Sequence, residues 1–183
     1  MKPKRNAANS RARLLAAAKQ CFSEHGYSAT GIRDVAEVAG VSYALLSRYF
    51  GSKAGLLEAA LTDALKDKPF LEVPRAEFGK FLAKLIADYR EGSYLPTAMT
   101  VLAAADPEAR KIATRVVEAE IIGPIATWLG APDARRRATA ITMLGAGFVT
   151  HAHLLQVART ADLKSSSSLV KWLADSFQRI VDE

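Results

Sequence analysis

Arg33, Arg48 and Lys53 are the residues whose type and placement point most directly to chemistry. No carboxylate stands between Val41 and Lys53, so cations in and beside this stretch can meet phosphates without an acid repelling the polyanion. Tyr43 and Tyr49 add hydroxyls on long side chains, and Ser42 and Ser47 add short ones. Other titratable groups are less suggestive. His151 and His153 are two apart, as are Glu118 and Glu120, and on a helix that spacing points side chains to different faces. The histidines have no Cys or carboxylate close by, so neither a metal site nor a cofactor is expected. The sequence contains no G-x-S-x-G elbow, P-loop, H-E-x-x-H or dinucleotide glycine pattern, so no catalytic residue and no enzyme activity is expected.

Charge is unevenly spread. The first 53 residues carry nine Lys and Arg against Glu24, Asp34 and Glu37, which is the whole net charge of +6; the remaining 130 residues are balanced. A basic module joined to a neutral body implies a polyanion partner for the module alone. Half the residues are apolar and 24% are charged, the balance of a globular chain. Cys21 is the only cysteine. That excludes an intrachain disulfide and fits a reducing cytoplasm. No long apolar run follows the basic Met1–Arg5 stretch, so no signal peptide is expected.

The elements that must position these groups read as helices throughout, with no alternating strand pattern. A first helix fits Asn9 or Ser10 to His25, stopped by Gly26. A second fits Gly31–Ala39, capped by Thr30. A third runs from its cap at Ser42 to Phe50, and a fourth from Lys53 to about Lys66. In the body, helices are expected at about Arg75–Glu91, Pro96–Ala105, Pro107–Leu129 with a kink at Pro124, Asp133–Arg159 and Ser168–Val181. The division expected is 1–53 for the basic module, 53–66 as a connector and 67–183 for the body.

Gly40 allows a sharp turn between the second and third helices, and Val41 plugs its corner. With Leu46 and Phe50 inward at i, i+4, Ala44 and Arg48 face outward and Leu45 and Ser47 flank them. That small, basic face suits a major groove. Leu45, with nothing to donate, suits a thymine methyl.

Ser10 to Leu57 resembles the N-terminal domain of the TetR (tetracycline repressor-like) transcriptional regulators. The resemblance rests on Arg13-Leu14-Leu15-Ala16-Ala17-Ala18, Phe22-Ser23-Glu24-His25-Gly26-Tyr27, Ile32-Arg33-Asp34-Val35-Ala36, Ala39-Gly40-Val41-Ser42 and Arg48-Tyr49-Phe50-Gly51-Ser52-Lys53. The body is similar to an actinobacterial-type C-terminal domain of that family. Departures fall on the reading surface, where Gly31, Ala44-Leu45 and Ser47 replace commoner residues. The expected DNA contacts are Thr30, Arg33, Ser42, Tyr43, Ala44, Leu45, Ser47, Arg48, Tyr49 and Lys53.

The fold implied is all-α, a helix-turn-helix head followed by a helical ligand-binding and dimerisation domain. The function implied is a repressor on double-stranded operator DNA, released by a small apolar effector. The alternative is a small-molecule-binding or scaffolding helical protein without sequence-specific DNA binding. Tyr89, Tyr94, Met99, Leu102, Trp128, Met143, Phe148 and His151 are candidates to line an effector pocket. Leu169, Leu173, Phe177 and Ile180 recur at helical spacing and are candidates for a homodimer interface. Ala138–Ala158 lacks Asp, Glu, Lys and Arg over 21 residues. Its Thr, His and Gln residues favour a helix buried in a soluble protein or dimer over a membrane span.

Overall fold

The computed structural model describes residues 3–88 and 95–183, with side chains described from residue 8. No strand occurs among the described residues, and the chain forms two compact units. The first comprises Met1–Lys66 and Tyr94–Val116, the second Asp67–Ser93 and Val117–Glu183. The first unit therefore extends past residue 53 to take in a noncontiguous segment.

In the first unit, α1 (Pro3–Ala29) changes direction at Gly26, whose φ of 73° suits glycine. Next come α2 (Ile32–Val38), α3 (Tyr43–Phe50) and α4 (Lys53–Leu65). Ser42 Oγ accepts from Leu45 N and caps α3, and Ser52 Oγ accepts from Gly55 N and caps α4. Leu14, Phe22, Val35, Leu46, Leu56 and Leu61 are buried and hold these helices together. The same core receives α6 (Pro96–Ala103) and α7 (Pro107–Val117) through Ala98, Met99, Ala103 and Ala109.

One capping expectation fails. Gly31, not Thr30, holds the N-cap position of α2, and no side chain caps that helix. The turn at Gly26 folds Thr30 back under the end of α1. There its hydroxyl donates to Gly26 O at 2.7 Å and lies 3.2 Å from Cys21 O.

In the second unit, α5 (Phe78–Ala87), α8 (Gly123–Leu129), α9 (Ala134–Val149) and α10 (Ser168–Asp182) surround a core that includes Phe78, Leu82, Ile125, Ile141, Phe148, Leu173 and Phe177. α10 packs closely on α5. A Cβ on Gly79 would stand 2.3 Å from Ala174 O. Gly79 N instead donates to Gln178 Oε1, and Gln178 Nε2 donates to Arg75 O.

The expected kink before Pro124 takes the form of a π turn, Glu118–Ile122, with Pro124 in the first turn of α8. A wider turn there accommodates the N–H that proline lacks. A second π turn, Thr150–Leu154, follows α9, and Gln156 has φ 53°, so the expected helix to Arg159 stops short. No helix among the described residues is long and apolar enough to cross a membrane.

Candidate nucleic-acid interface

The outward surface of α2 and α3 carries the expected cations. Arg33, Tyr43, Ala44 and Arg48 are exposed, whereas Leu45, Ser47 and Tyr49 are half-buried. Leu46 beneath them is wholly buried. The Arg33 guanidinium lies 5.6 Å from the Tyr43 ring centroid, pairing a cation of α2 with the aromatic at the start of α3. Tyr49 meets Phe50 edge-on, and the Arg11 guanidinium lies 5.4 Å from the Phe50 centroid. Arg13 donates to Gly40 O at 3.3 Å, joining α1 to the turn. Neither Arg11 nor Arg13 is among the expected DNA contacts, because the groups they reach, Phe50 and Gly40, lie far along the chain.

Thr30 does not belong to this surface. It is 4% exposed and its hydroxyl is already engaged by backbone carbonyls, so the expectation that it meets DNA is corrected.

Lys53 occupies a more elaborate setting than an exposed cation. Its ammonium lies 4.4 Å from the Tyr27 ring centroid and donates to Ser28 O at 3.5 Å. Tyr27 in turn donates to Glu108 Oε2 at 2.6 Å, and Ser28 Oγ donates to Asp106 Oδ2 at 3.2 Å. Asp106 also caps α7, its Oδ1 accepting from Glu108 N and Ala109 N. Those backbone donors, then Ser28 and Lys53, hold the Asp106 carboxyl below its ordinary range. Burial, followed by the Glu108 carboxylate, pushes the Tyr27 phenol far above its ordinary value, so it remains a donor.

Only some of the described pocket candidates are brought together. Tyr89 and Tyr94 lie outside the described residues. Met99 is enclosed in the first unit, and Leu102 packs beside Gly26 there. Trp128 stacks on Phe78 at 4.9 Å, with the Arg75 guanidinium 5.2 Å from its centroid. Met143, Phe148 and His151 do share a groove of about 540 Å³ in the second unit, with Leu169, Val157 and Trp172. His151 pairs with Gly147 O and His153 with Ile86 O, so the two rings serve different neighbours.

The proposed dimer stripe is corrected in part. Leu173 and Phe177 are fully buried against the chain's own core. The exposed apolar residues of α9 and α10 are instead Met143, at 70%, and Trp172, at 52%.

Known proteins can be set beside this geometry. Residues 14–60 match the family model for bacterial regulatory proteins of the tetR family. Residues 76–181 match the tetracyclin repressor-like C-terminal domain. Over 57 residues, 31% of this chain, the sequence is 42% identical to the HTH-type transcriptional regulator BetI of Burkholderia thailandensis. It is 40% identical over the same length to BetI of Burkholderia cenocepacia, and each match spans 29% of the relative. A Rhodococcus sp. protein assigned to the TetR family superposes with TM-score 0.72 at 21% identity, over 95% of this chain and 99% of that one. Salmonella enterica GusR gives 0.71 at 18% identity, over 100% and 98%. The multidrug binding protein EbrR, complexed with ethidium, gives 0.64 at 19%, over 93% and 98%. At these identities the structural likeness is one of fold.

Proposed function

Since the chain belongs to the tetR family of bacterial regulatory proteins, we propose that it is a transcriptional repressor in the cytoplasm, bound to operator DNA as a homodimer and released by a small apolar molecule. The observation that carries the DNA part is the acid-free reading helix α3, with Tyr43 and Arg48 on its exposed side and Arg33 of α2 beside Tyr43. Such a surface suits a major groove, where the two guanidinium groups and the Tyr43 side chain can meet base edges and phosphates. Lys53 supplies phosphate anchoring and no sequence information.

One reading helix covers only a few base pairs, so sequence-specific binding needs a second copy about 34–36 Å away. The exposed apolar residues on α9 and α10, Met143 and Trp172, favour that face as the self-complementary contact. His151 and Asp162 are the polar side chains of the groove beside it, which suits an apolar effector. A molecule lodged among Met143, Phe148 and Trp172 would bear on the helix pair that joins the copies and so change the spacing of the reading helices.

Titrating the protein against duplexes from its own upstream region and against random duplex, from 50 to 200 mM salt, tests this reading. Tight, steeply salt-dependent binding that prefers one upstream site supports it. Equal affinity for every duplex favours a ligand-binding or scaffolding role.

A further inference from the structure

Lys53, at the start of α4, has an aromatic ring and a backbone carbonyl arranged around its ammonium. Its ammonium stands over the face of Tyr27, a residue 7% exposed, and donates to Ser28 O. The ring is itself held at its far end, where the hydroxyl donates to Glu108 in the first turn of α7. Ser28 is tied to the same turn through Asp106. A lysine ammonium sits on a flexible four-carbon stem and loses rotamer freedom when fixed. An aromatic face beneath the ammonium restricts that freedom before any phosphate arrives.

We propose that Tyr27 is a positioning residue for DNA binding: its ring, fixed by Glu108, seats the Lys53 ammonium in the place from which it meets a backbone phosphate. The proposal rests on the DNA-binding reading above. It assigns to Tyr27 a role that its burial alone does not require, since any apolar side chain meets the need to exclude water there. Glu108 acts at one remove. Its carboxylate accepts from the hydroxyl and fixes the ring plane, while the seat itself is the ring face.

A double-mutant cycle read as a salt slope tests the proposal, because loss of packing lowers the unfolding temperature without altering the number of phosphates neutralised. Lys53→Ala should lower the slope of log K against log salt by about one, which between 50 and 200 mM salt amounts to about a three- to fourfold smaller change in affinity. Tyr27→Leu should lower it by a similar amount, and the double variant should lose no more than either single one. Additive losses, or a Tyr27→Leu slope equal to that of wild type, overturn the proposal.

If Tyr27→Leu does not fold, replacement of Tyr27 by phenylalanine and by trifluorophenylalanine preserves the ring's shape. The trifluorinated ring should give a smaller slope than phenylalanine, because both lack the hydroxyl that Glu108 holds while fluorine also drains the ring face of negative charge. Equal slopes for the two overturn the proposal. Wild-type binding that does not vary with salt removes the DNA-binding reading itself. Steep wild-type binding with an additive cycle removes only the seat.

Discussion

Arg75 and Arg137 donate to the same two carbonyls, Leu129 O and Val181 O, which close α8 and α10. Arg137 also donates to Pro132 O and Gly130 O, and at 2% exposure it is enclosed. Two cations thus gather the carbonyl ends of two helices, where the backbone dipole favours positive charge and the last carbonyls lack partners within their own helices. Arg137→Ala should lower unfolding stability in urea by about 2–4 kcal/mol, from lost packing and several orphaned acceptors. Arg137→Lys should recover little, because an ammonium cannot span acceptors that a planar fork reaches together. Near-wild-type stability of Arg137→Ala would show that water replaces the arginine without penalty.

The contact of α5 with α10 should be intolerant of a single methyl group. Gly79→Ala places a Cβ 2.3 Å from Ala174 O and 2.7 Å from Gln178 N, both of them backbone atoms. The helices must part, and a loss of about 1–3 kcal/mol is expected in equilibrium denaturation. Unchanged stability would mean that α10 shifts freely along α5.

Stability should also depend on pH through Asp63. It accepts from Lys19 at 2.8 Å and from Lys66 at 2.9 Å, and these bonds hold its carboxyl below the ordinary range. A carboxyl lowered in the folded state adds stability above its unfolded pKa, near 3.9, and that contribution is lost as the pH falls through the lower folded value. Asp63→Asn should remove up to about 1 kcal/mol at neutral pH and flatten this acid limb. Urea midpoints from pH 2 to pH 7 provide the check.

Two substitutions on α10 separate the chain's own core from its contact with a second copy. Phe177 is wholly enclosed, so Phe177→Asp should unfold the protein, at a cost of about 4 kcal/mol or more. Trp172 is half exposed, so Trp172→Glu should leave the fold intact and yield monomers with weakened operator binding. Sedimentation with circular dichroism distinguishes the two. Dimers of Trp172→Glu as tight as wild type would move the interface elsewhere.

On the reading helix, Arg48→Ala and Tyr43→Ala should each lose about 1–3 kcal/mol at one operator position if they meet base edges. Affinities for a panel of single-base operator variants reveal this. A uniform loss across the panel would assign the two residues to phosphates.

Much of the head is legible because its signals are local. Ser42 and Ser52 cap the helices that directly follow them, and Gly40 marks the turn by its positive φ. Thr30 misleads for the same reason. A threonine just before a helix looks like a cap, yet the chain reversal at Gly26 turns it inward. The stripe of Leu169, Leu173, Phe177 and Ile180 has the spacing of a buried helix face, but spacing does not say whether the chain itself or a partner buries it. Here α5 does so for Leu173 and Phe177, and Gly79 is the residue that permits the approach. Arg137 looks like part of a solvated run from Arg135 to Arg137 until the helix ends it serves are known. The link between Tyr27 and Glu108 spans 81 positions and leaves no periodic trace.

The first unit is assembled from two separated stretches, and this orders events on the ribosome. When Lys66 has been made, α1 and α4 still lack Ala98, Met99, Ala103 and Ala109, which complete their core. That segment is finished about fifty residues later, at Val116, or roughly 3–10 s at ordinary elongation rates. Throughout this interval the apolar surface of the nascent head lacks its cover. The head becomes complete only after part of the body has been synthesised, so a gene fusion cut after Lys66 would transplant an unfinished domain.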